Sequence, residues 1–284
     1  MFKSLSDSFK LHNGVQSPCI GFGTFQLPNN AVCETAVLEA IKAGYRHIDT
    51  AAIYANEEMC GSGIKNSGIK REDLFVTTKL WNDVRGYDET IAAFDESLEK
   101  LGLDYVDLYL VHWPNPVKHR ANWKAANAES WRAMEKLYAD KRTRAIGVSN
   151  FMTHHMDALL ETAKVVPMAN QILLYPGAMQ DDVVKQCESK NILIQAYSPI
   201  GQGVMLECAP VVEMAKKYGK TVPQLCIRFS LQKGWQPLPK TQTVSRIAEN
   251  ADVFNFEISD ADMAVLSAMT DYASNVTDPD TIAF

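Results

Sequence analysis

The sequence predicts an α/β protein, a closed (β/α)8 TIM barrel with an N-terminal β-hairpin cap. Three observations carry that reading. The chain has 284 residues, near the roughly 250 that such barrels use. Short β-rich runs recur along its whole length, at 20–24, 46–50, 75–79, 106–112, 145–150, 168–172, 193–198 and 237–241. Segments of helical periodicity separate them, the pattern of parallel strands joined by crossover helices. No Pro-, Gly- or Ser-rich linker divides the chain, so residues 1–284 read as one domain.

Taken in order, the first element is the hairpin. Residues 9–11 and 15–18 flank Asn13-Gly14, a two-residue turn signal, and a hairpin there plugs the N-terminal end of the barrel. Among the helices, Ile91, Phe94, Leu98 and Leu101 fall at helical spacing, with Asp88 as N-cap and Gly102 as stop. A second runs through Met156, Leu159, Leu160 and Ala163 after Thr153. Two segments exceed a minimal loop, 114–128 after the fourth strand and 201–208 after the seventh. Both belong on the C-terminal face, where barrels of this kind keep their active sites.

Composition narrows the function. Hydrophobic residues make up 46% and charged residues 22%, enough apolar material for a large core. The net charge is −6 and no Lys/Arg block occurs, which argues against nucleic acid or a polybasic membrane anchor as partner. The first ten residues lack the apolar stretch of a signal peptide, and no later segment has the ~18 apolar residues of a membrane span. A cytoplasmic location and a small-molecule partner are therefore expected. The six cysteines show neither a C-x-x-C pair nor a zinc spacing, so reduced thiols and no metal site are expected.

Four titratable residues sit at successive strand ends. Asp49 closes the second strand, Tyr54 follows five residues later, Lys79 ends the third and His112 the fourth. Singly, each has an ordinary structural use: a cap, a packed ring, a solvated strand end, a core histidine. Jointly they make a proton-donating site. A tyrosine with its usual pKa of ~10 is too weak an acid near neutrality; a nearby lysine favours the tyrosinate, and Asp49 would hold that lysine charged. His112 is then placed to orient a substrate oxygen.

No G-x-G-x-x-G follows a strand and opens a helix, because Gly21-Phe22-Gly23 lacks a matching third glycine. A dinucleotide must bind another way. Phosphate sites in these barrels use the last loops and a helix N-terminus. Here Lys240-Thr241 stands between the eighth strand and a helix beginning near Val244, with Arg246, Glu249 and Asn250 in its first turns.

Asp49-Thr50-Ala51-Ala52-Ile53-Tyr54-Ala55-Asn56-Glu57, Thr78-Lys79-Leu80-Trp81, Leu110-Val111-His112-Trp113-Pro114, Gly147-Val148-Ser149-Asn150-Phe151 and Leu238-Pro239-Lys240-Thr241 together resemble the aldo-keto reductase family. The resemblance runs the length of the chain in the right order. It is strongest to compact microbial members of the prostaglandin F synthase-like and 2,5-diketo-gluconate reductase-like kind, down to Asp278-Pro279-Asp280. It implies a monomeric NADPH-dependent carbonyl reductase with Tyr54 as general acid, tuned by Asp49 and Lys79, and His112 orienting the carbonyl.

For the cofactor, the resemblance implies Thr24, Asp49, Ser149, Asn150, Gln171, Tyr197 and Ser198 around the nicotinamide, with Tyr197 as its stacking plate. Lys240, Thr241, Arg246, Glu249 and Asn250 would hold the 2′-phosphate and adenine. The substrate pocket would be lined by Phe25, Tyr54, Trp81, His112 and Trp113, with 115–128 as a rim and a short C-terminal tail leaving one side open.

Three departures from the family pattern have consequences. Leu173 and Tyr175 stand where a glutamate and a histidine are usual, so hydrogen bonds near the sixth strand must differ. Phe25 replaces a frequent tryptophan and removes an indole donor. Gln242, Thr243, Val244 and Ser245 are all uncharged where another basic residue is common, which predicts some use of NADH. Two other functions compete. A cofactor-binding sensor with little turnover has no need of the Tyr54 acid, and a metal-dependent barrel hydrolase needs further His or carboxylates at strands five to eight, where none stands.

Overall fold

The computed structural model describes residues 2–273 and 276–284. A hairpin of β1 (Ser8–Lys10) and β2 (Gln16–Pro18) precedes eight barrel strands. These are β3 (Phe22–Gly23), β4 (His47–Asp49), β5 (Phe75–Leu80), β6 (Val106–Val111), β7 (Thr143–Ser149), β8 (Ala169–Leu173), β9 (Leu193–Tyr197) and β10 (Gln236–Leu238). Every neighbouring pair from β3 to β10 is parallel. The first and last strands then meet, Gly21 N donating to Pro237 O and Gly23 N to Pro239 O, each at 3.0 Å. That seam closes the barrel. It needs Gly21, because a Cβ there would lie 2.4 Å from Leu238 and 2.5 Å from the His47 ring.

Helices α1 (Ala31–Lys42), α2 (Glu57–Asn66), α3 (Tyr87–Leu101), α4 (Trp123–Ala139), α5 (Thr153–Leu160) and α6 (Asp181–Ser189) follow the successive strands. After β9 come α7 (Ala209–Lys217) and α8 (Val222–Gln232), and after β10 come α9 (Val244–Ala251) and α10 (Asp260–Ser267). In α3 the residues Phe94, Leu98 and Leu101 are buried, and the helix stops at Gly102 in the left-handed conformation, φ 64°, as a C-terminal glycine does. Its N-cap is Gly86 and not Asp88; Asp88 falls in the first turn, where its charge meets the positive helix end. In α5 Met156 and Leu159 are buried, but the helix ends before Ala163. Residues 114–128 are less loop than expected, since 117–122 form a 3-10 turn and α4 begins at Trp123.

The hairpin exists, with a different turn. Leu11 N donates to Val15 O at 2.9 Å, Gly14 N to Leu11 O at 2.8 Å, and Gly14 has φ 91°. This is a three-residue loop ending on a left-handed glycine, not a two-residue turn. Asn13 Nδ2 donates to Arg144 O, and Gln236 Nε2 to Ser17 Oγ. The hairpin thus closes the end of the barrel opposite the tetrad. Among the described residues no helix is long and apolar enough to cross a membrane. All six cysteines are free and buried.

Candidate active site

The strands end where the sequence placed the chemistry. Asp49 closes β4, Lys79 lies one residue short of the end of β5, His112 follows β6 directly, and Tyr54 ends a 3-10 turn after β4. Lys79 is wholly buried. Its three ammonium protons have three acceptors: Asp49 Oδ1 at 2.6 Å, Thr50 O at 2.8 Å and Tyr54 Oη at 3.4 Å. Burial lowers the Lys79 pKa while the Asp49 carboxylate opposes it, and a fully donated ammonium is the form this shell fits.

Because Tyr54 Oη accepts from Lys79, its own hydrogen is left for the cavity. Burial pushes the phenol well above its ordinary value, and the Asp49 charge pushes the same way. This corrects the expectation that Lys79 lowers it: in the resting site, desolvation and Asp49 outweigh the ammonium. The consequence is a phenol that keeps its proton near neutrality. His112 is pushed well below its usual pKa by burial, then by the Lys79 and Arg85 cations. The ring is therefore neutral. Its Nδ1 is buried without a partner among the described residues, and because a buried orphaned N–H costs more than an unused lone pair, this setting favours the hydrogen on Nε2.

Asp49, Tyr54 and His112 floor a cavity of about 870 Å³, while Lys79, wholly buried, does not line it and reaches the cavity only through Asp49 and Tyr54. Asp49, Tyr54, His112, Phe25, Trp81, Trp113, Ser149, Asn150, Gln171, Tyr197, Ser198, Lys240, Arg246, Glu249 and Asn250 all line it. Thr24 and Thr241 do not. The Thr24 hydroxyl is spent on Asp49 O at 3.0 Å, and Thr241 Oγ1 accepts from Thr243 N at 3.1 Å; both brace the wall from behind. Asn150 joins two strand ends, donating to His112 O at 2.9 Å and accepting from Tyr197 Oη at 2.9 Å. Four non-glycine residues of the lining, Gln26, Asn150, Ser198 and Gln202, have positive φ, a strained backbone that concentrates at functional sites.

Lys240 and Arg246 form no ion pair among the described residues. Two cations facing one cavity without an acidic partner fit a phosphorylated ligand. Gln242, Thr243, Val244 and Ser245 beside them are exposed.

The rim departs from expectation. The C-terminal tail does not leave one side open: the Phe284 ring stacks on Trp81, centroids 5.8 Å apart, and meets Trp113 edge-on at 5.3 Å. Nothing local in the sequence announces this contact, which joins residues some two hundred positions apart. The tail is fastened through Asp280, which receives His154 Nε2 and His155 Nε2 at 2.9 Å each and Asn115 Nδ2 at 2.7 Å. His154, His155 and Asp280 have the composition of a cation site, but His155 Nδ1 accepts from Met152 N at 3.2 Å, which leaves Nε2 protonated and committed as a donor. The trio is an anchor. Leu173 lines the cavity, and the Tyr175 hydroxyl donates to Tyr272 O at 2.7 Å, the altered bonding that these two residues foretold.

Comparison with known proteins shows the family. The profile of the Aldo/keto reductase family matches residues 19–271. Glyoxal reductase of Bacillus subtilis is 46% identical over 281 residues, covering 99% of each chain. The 9,11-endoperoxide prostaglandin H2 reductase of Trypanosoma cruzi is 42% identical over 273 residues, 95% of this chain and 94% of that one. A Bombyx mori aldo-keto reductase solved in complex with NADP superposes with a TM-score of 0.84 at 35% identity, covering 94% of this chain and 93% of that one.

Proposed function

For a chain that belongs to the aldo/keto reductase family, and is thus an oxidoreductase, we propose NADPH-dependent reduction of small aldehydes, dicarbonyls and ketones with Tyr54 as general acid. The observation that carries the reading is the Lys79 shell. Its third bond ends on Tyr54 Oη, which turns the phenolic hydrogen toward the cavity where a carbonyl oxygen would lie.

A reduced nicotinamide in this cavity supplies the hydride. The remaining work belongs to the chain. His112 Nε2–H and the Tyr54 hydroxyl hold the carbonyl oxygen between two donors. As negative charge develops on that oxygen, Tyr54 delivers its proton. The phenolate left behind is stabilised by the Lys79 ammonium, which Asp49 keeps in place. An ammonium whose partner becomes charged only during the reaction stabilises the transition state more than the resting site. The raised resting pKa of Tyr54 keeps the proton available until substrate arrives.

Ser149, Asn150, Gln171, Tyr197 and Ser198 would receive the nicotinamide, and Lys240, Arg246, Glu249 and Asn250 the adenosine phosphate end. Thr24 and Thr241 support them from behind. The uncharged run Gln242 to Ser245 supports partial use of NADH. Phe25, Trp81, Trp113 and Phe284 make aromatic walls over a narrow polar floor, a setting for compact carbonyls; glyoxal, named for the Bacillus relative, is of this class. The working unit in this reading is a monomer formed as one domain, as the family resemblance implies.

The test is oxidation of NADPH, followed by its absorbance, with glyoxal, methylglyoxal, aromatic aldehydes and simple ketones, repeated with NADH. Turnover with NADPH exceeding that with NADH is expected. Tight NADPH binding without turnover of any carbonyl would overturn the reading in favour of a cofactor sensor.

A further inference from the structure

Beneath the tetrad the barrel interior is not apolar. Gln171 on β8, Gln195 on β9 and Gln236 on β10 are buried side by side, with His47 on β4. Gln171 Nε2 donates to Asp49 Oδ2 at 2.7 Å and to Gln195 Oε1 at 3.1 Å. Gln195 Nε2 donates to Gln236 Oε1 at 2.6 Å. Gln236 Nε2 donates to Ser17 Oγ at 2.8 Å and to the Pro18 carbonyl, and faces His47 Nδ1 at 3.2 Å. His47 Nε2 closes the array on Thr77 Oγ1 at 2.9 Å.

Both ends of this chain are fixed by groups that can only accept. The Pro18 carbonyl requires the nitrogen of Gln236, which leaves the Gln236 oxygen for Gln195. Gln195 must then present its nitrogen to Gln236 and its oxygen to Gln171. At the other end the Asp49 carboxylate requires the Gln171 nitrogen as well. Both N–H groups of Gln171 are thereby committed inward, and only its Oε1 remains at the cavity it lines. Reversing any one amide would set donor against donor or acceptor against acceptor in a dry interior, where an unmade hydrogen bond is expensive.

We propose that Gln195 and Gln236 are positioning residues, a relay that carries the polarity of the hairpin's Pro18 carbonyl across the barrel and fixes Gln171 as an acceptor toward the carboxamide N–H2 of the nicotinamide. The proposal rests on the cofactor reading above. The relay explains why three adjacent strands spend interior positions on glutamine where aliphatic side chains would pack without polar atoms. It also gives the hairpin a role beyond covering the barrel end. Without Gln195, the second Gln171 N–H is orphaned and the amide is held by Asp49 alone, so it swings about that one bond and Oε1 loses its fixed aim into the cavity.

The probe is a pair of cofactors, NADP+ and its 3-acetylpyridine analogue, which keeps the carbonyl and replaces the amide nitrogen by methyl. Dissociation constants are read from quenching of tryptophan fluorescence, without turnover. The wild type is expected to prefer NADP+ by about tenfold, one hydrogen bond's worth. Gln195→Leu, and separately Gln195→Leu with Gln236→Leu, are expected to reduce that preference to about twofold or less while melting cooperatively. The double variant removes a donor and its acceptor together, which limits its effect on folding. Folded variants that keep the wild-type preference would overturn the relay, as would a wild type that binds both forms equally. A wild type that binds neither would overturn the cofactor reading itself.

Discussion

At the floor of the cavity Lys79 has all three protons placed, Asp49 holds both Lys79 and Gln171, and the bonds join strand ends of the closed barrel to the short turn that carries Tyr54. At the rim, Phe284 reaches Trp81 from the far end of the chain, and its segment is fastened through Asp280, through Arg120 Nη2 donating to Ile282 O at 2.6 Å and through Val117 N donating to Phe284 O at 3.2 Å. The floor is buried and ionic; the rim is aromatic and partly exposed, with Phe25 at 46% and Phe284 at 49% accessibility. In the proposed reading, proton delivery rests on the strand register, so disturbing it disturbs the fold, whereas substrate choice rests on the aromatic rim to which the tail contributes Phe284.

The largest effect is expected from Lys79→Met. Removing the cation leaves Asp49 buried without its charge partner, a loss of about 3–5 kcal/mol, and the acid loses a stabiliser worth on the order of 10²–10⁴ in kcat. Thermal melts and steady-state rates on one preparation check both. If stability fell but kcat did not, the floor would be structural only.

Next is the cofactor side of the rim. Arg246→Met is expected to raise KM for NADPH about tenfold, the value of one charge-assisted contact, and to leave NADH use nearly unchanged. Equal losses with both cofactors would remove Arg246 from the 2′-phosphate.

Asp280→Ala separates the two regions most cleanly. Freeing the tail should raise KM for aromatic aldehydes a few-fold, in proportion to the lost Phe284 contact, while kcat with glyoxal stays within about twofold. A matching fall in kcat for glyoxal would mean that the rim reaches into the chemistry.

A separate effect comes from acid, and it acts on both regions. Burial lowers the folded-state pKa of His47, near the barrel's sealed end, to about 4, and burial followed by the His154 charge does the same for His155 under the rim. The unfolded chain, with histidines at ~6.5, binds more protons between those values. Stability is therefore complete above that pH and is lost as pH falls toward the folded values. A melting temperature lower by several degrees at mildly acidic than at neutral pH is expected; a flat profile would mean that these rings are solvated.

How much of this was legible follows the same division. Strand number, the positions of Asp49, Tyr54, Lys79 and His112, and the Lys240–Arg246 pair are short-range facts, because a strand end fixes which way the next few residues face. The turn at His12 to Gly14 and the start of α3 were misplaced by a residue or two, since Asn13-Gly14 and Asp88 each suit more than one local geometry. Phe284 over Trp81, the Asp280 anchor and the glutamine relay join residues distant in sequence through packing. Gln195 and Gln236 have no local pattern that separates a relay from isolated polar residues. The direction of the Tyr54 shift was missed for a related reason: its burial is a property of the assembled cavity.

In the proposed reaction the Tyr54 hydroxyl, aimed by Lys79, is the proton donor. Tyr54→Phe deletes that oxygen and leaves the ring between Phe25 and His112. Measured with NADPH and glyoxal, kcat should fall on the order of 10²–10⁴ while the dissociation constant for NADPH, read by fluorescence, stays within about twofold. Turnover at the wild-type rate would remove Tyr54 from proton delivery.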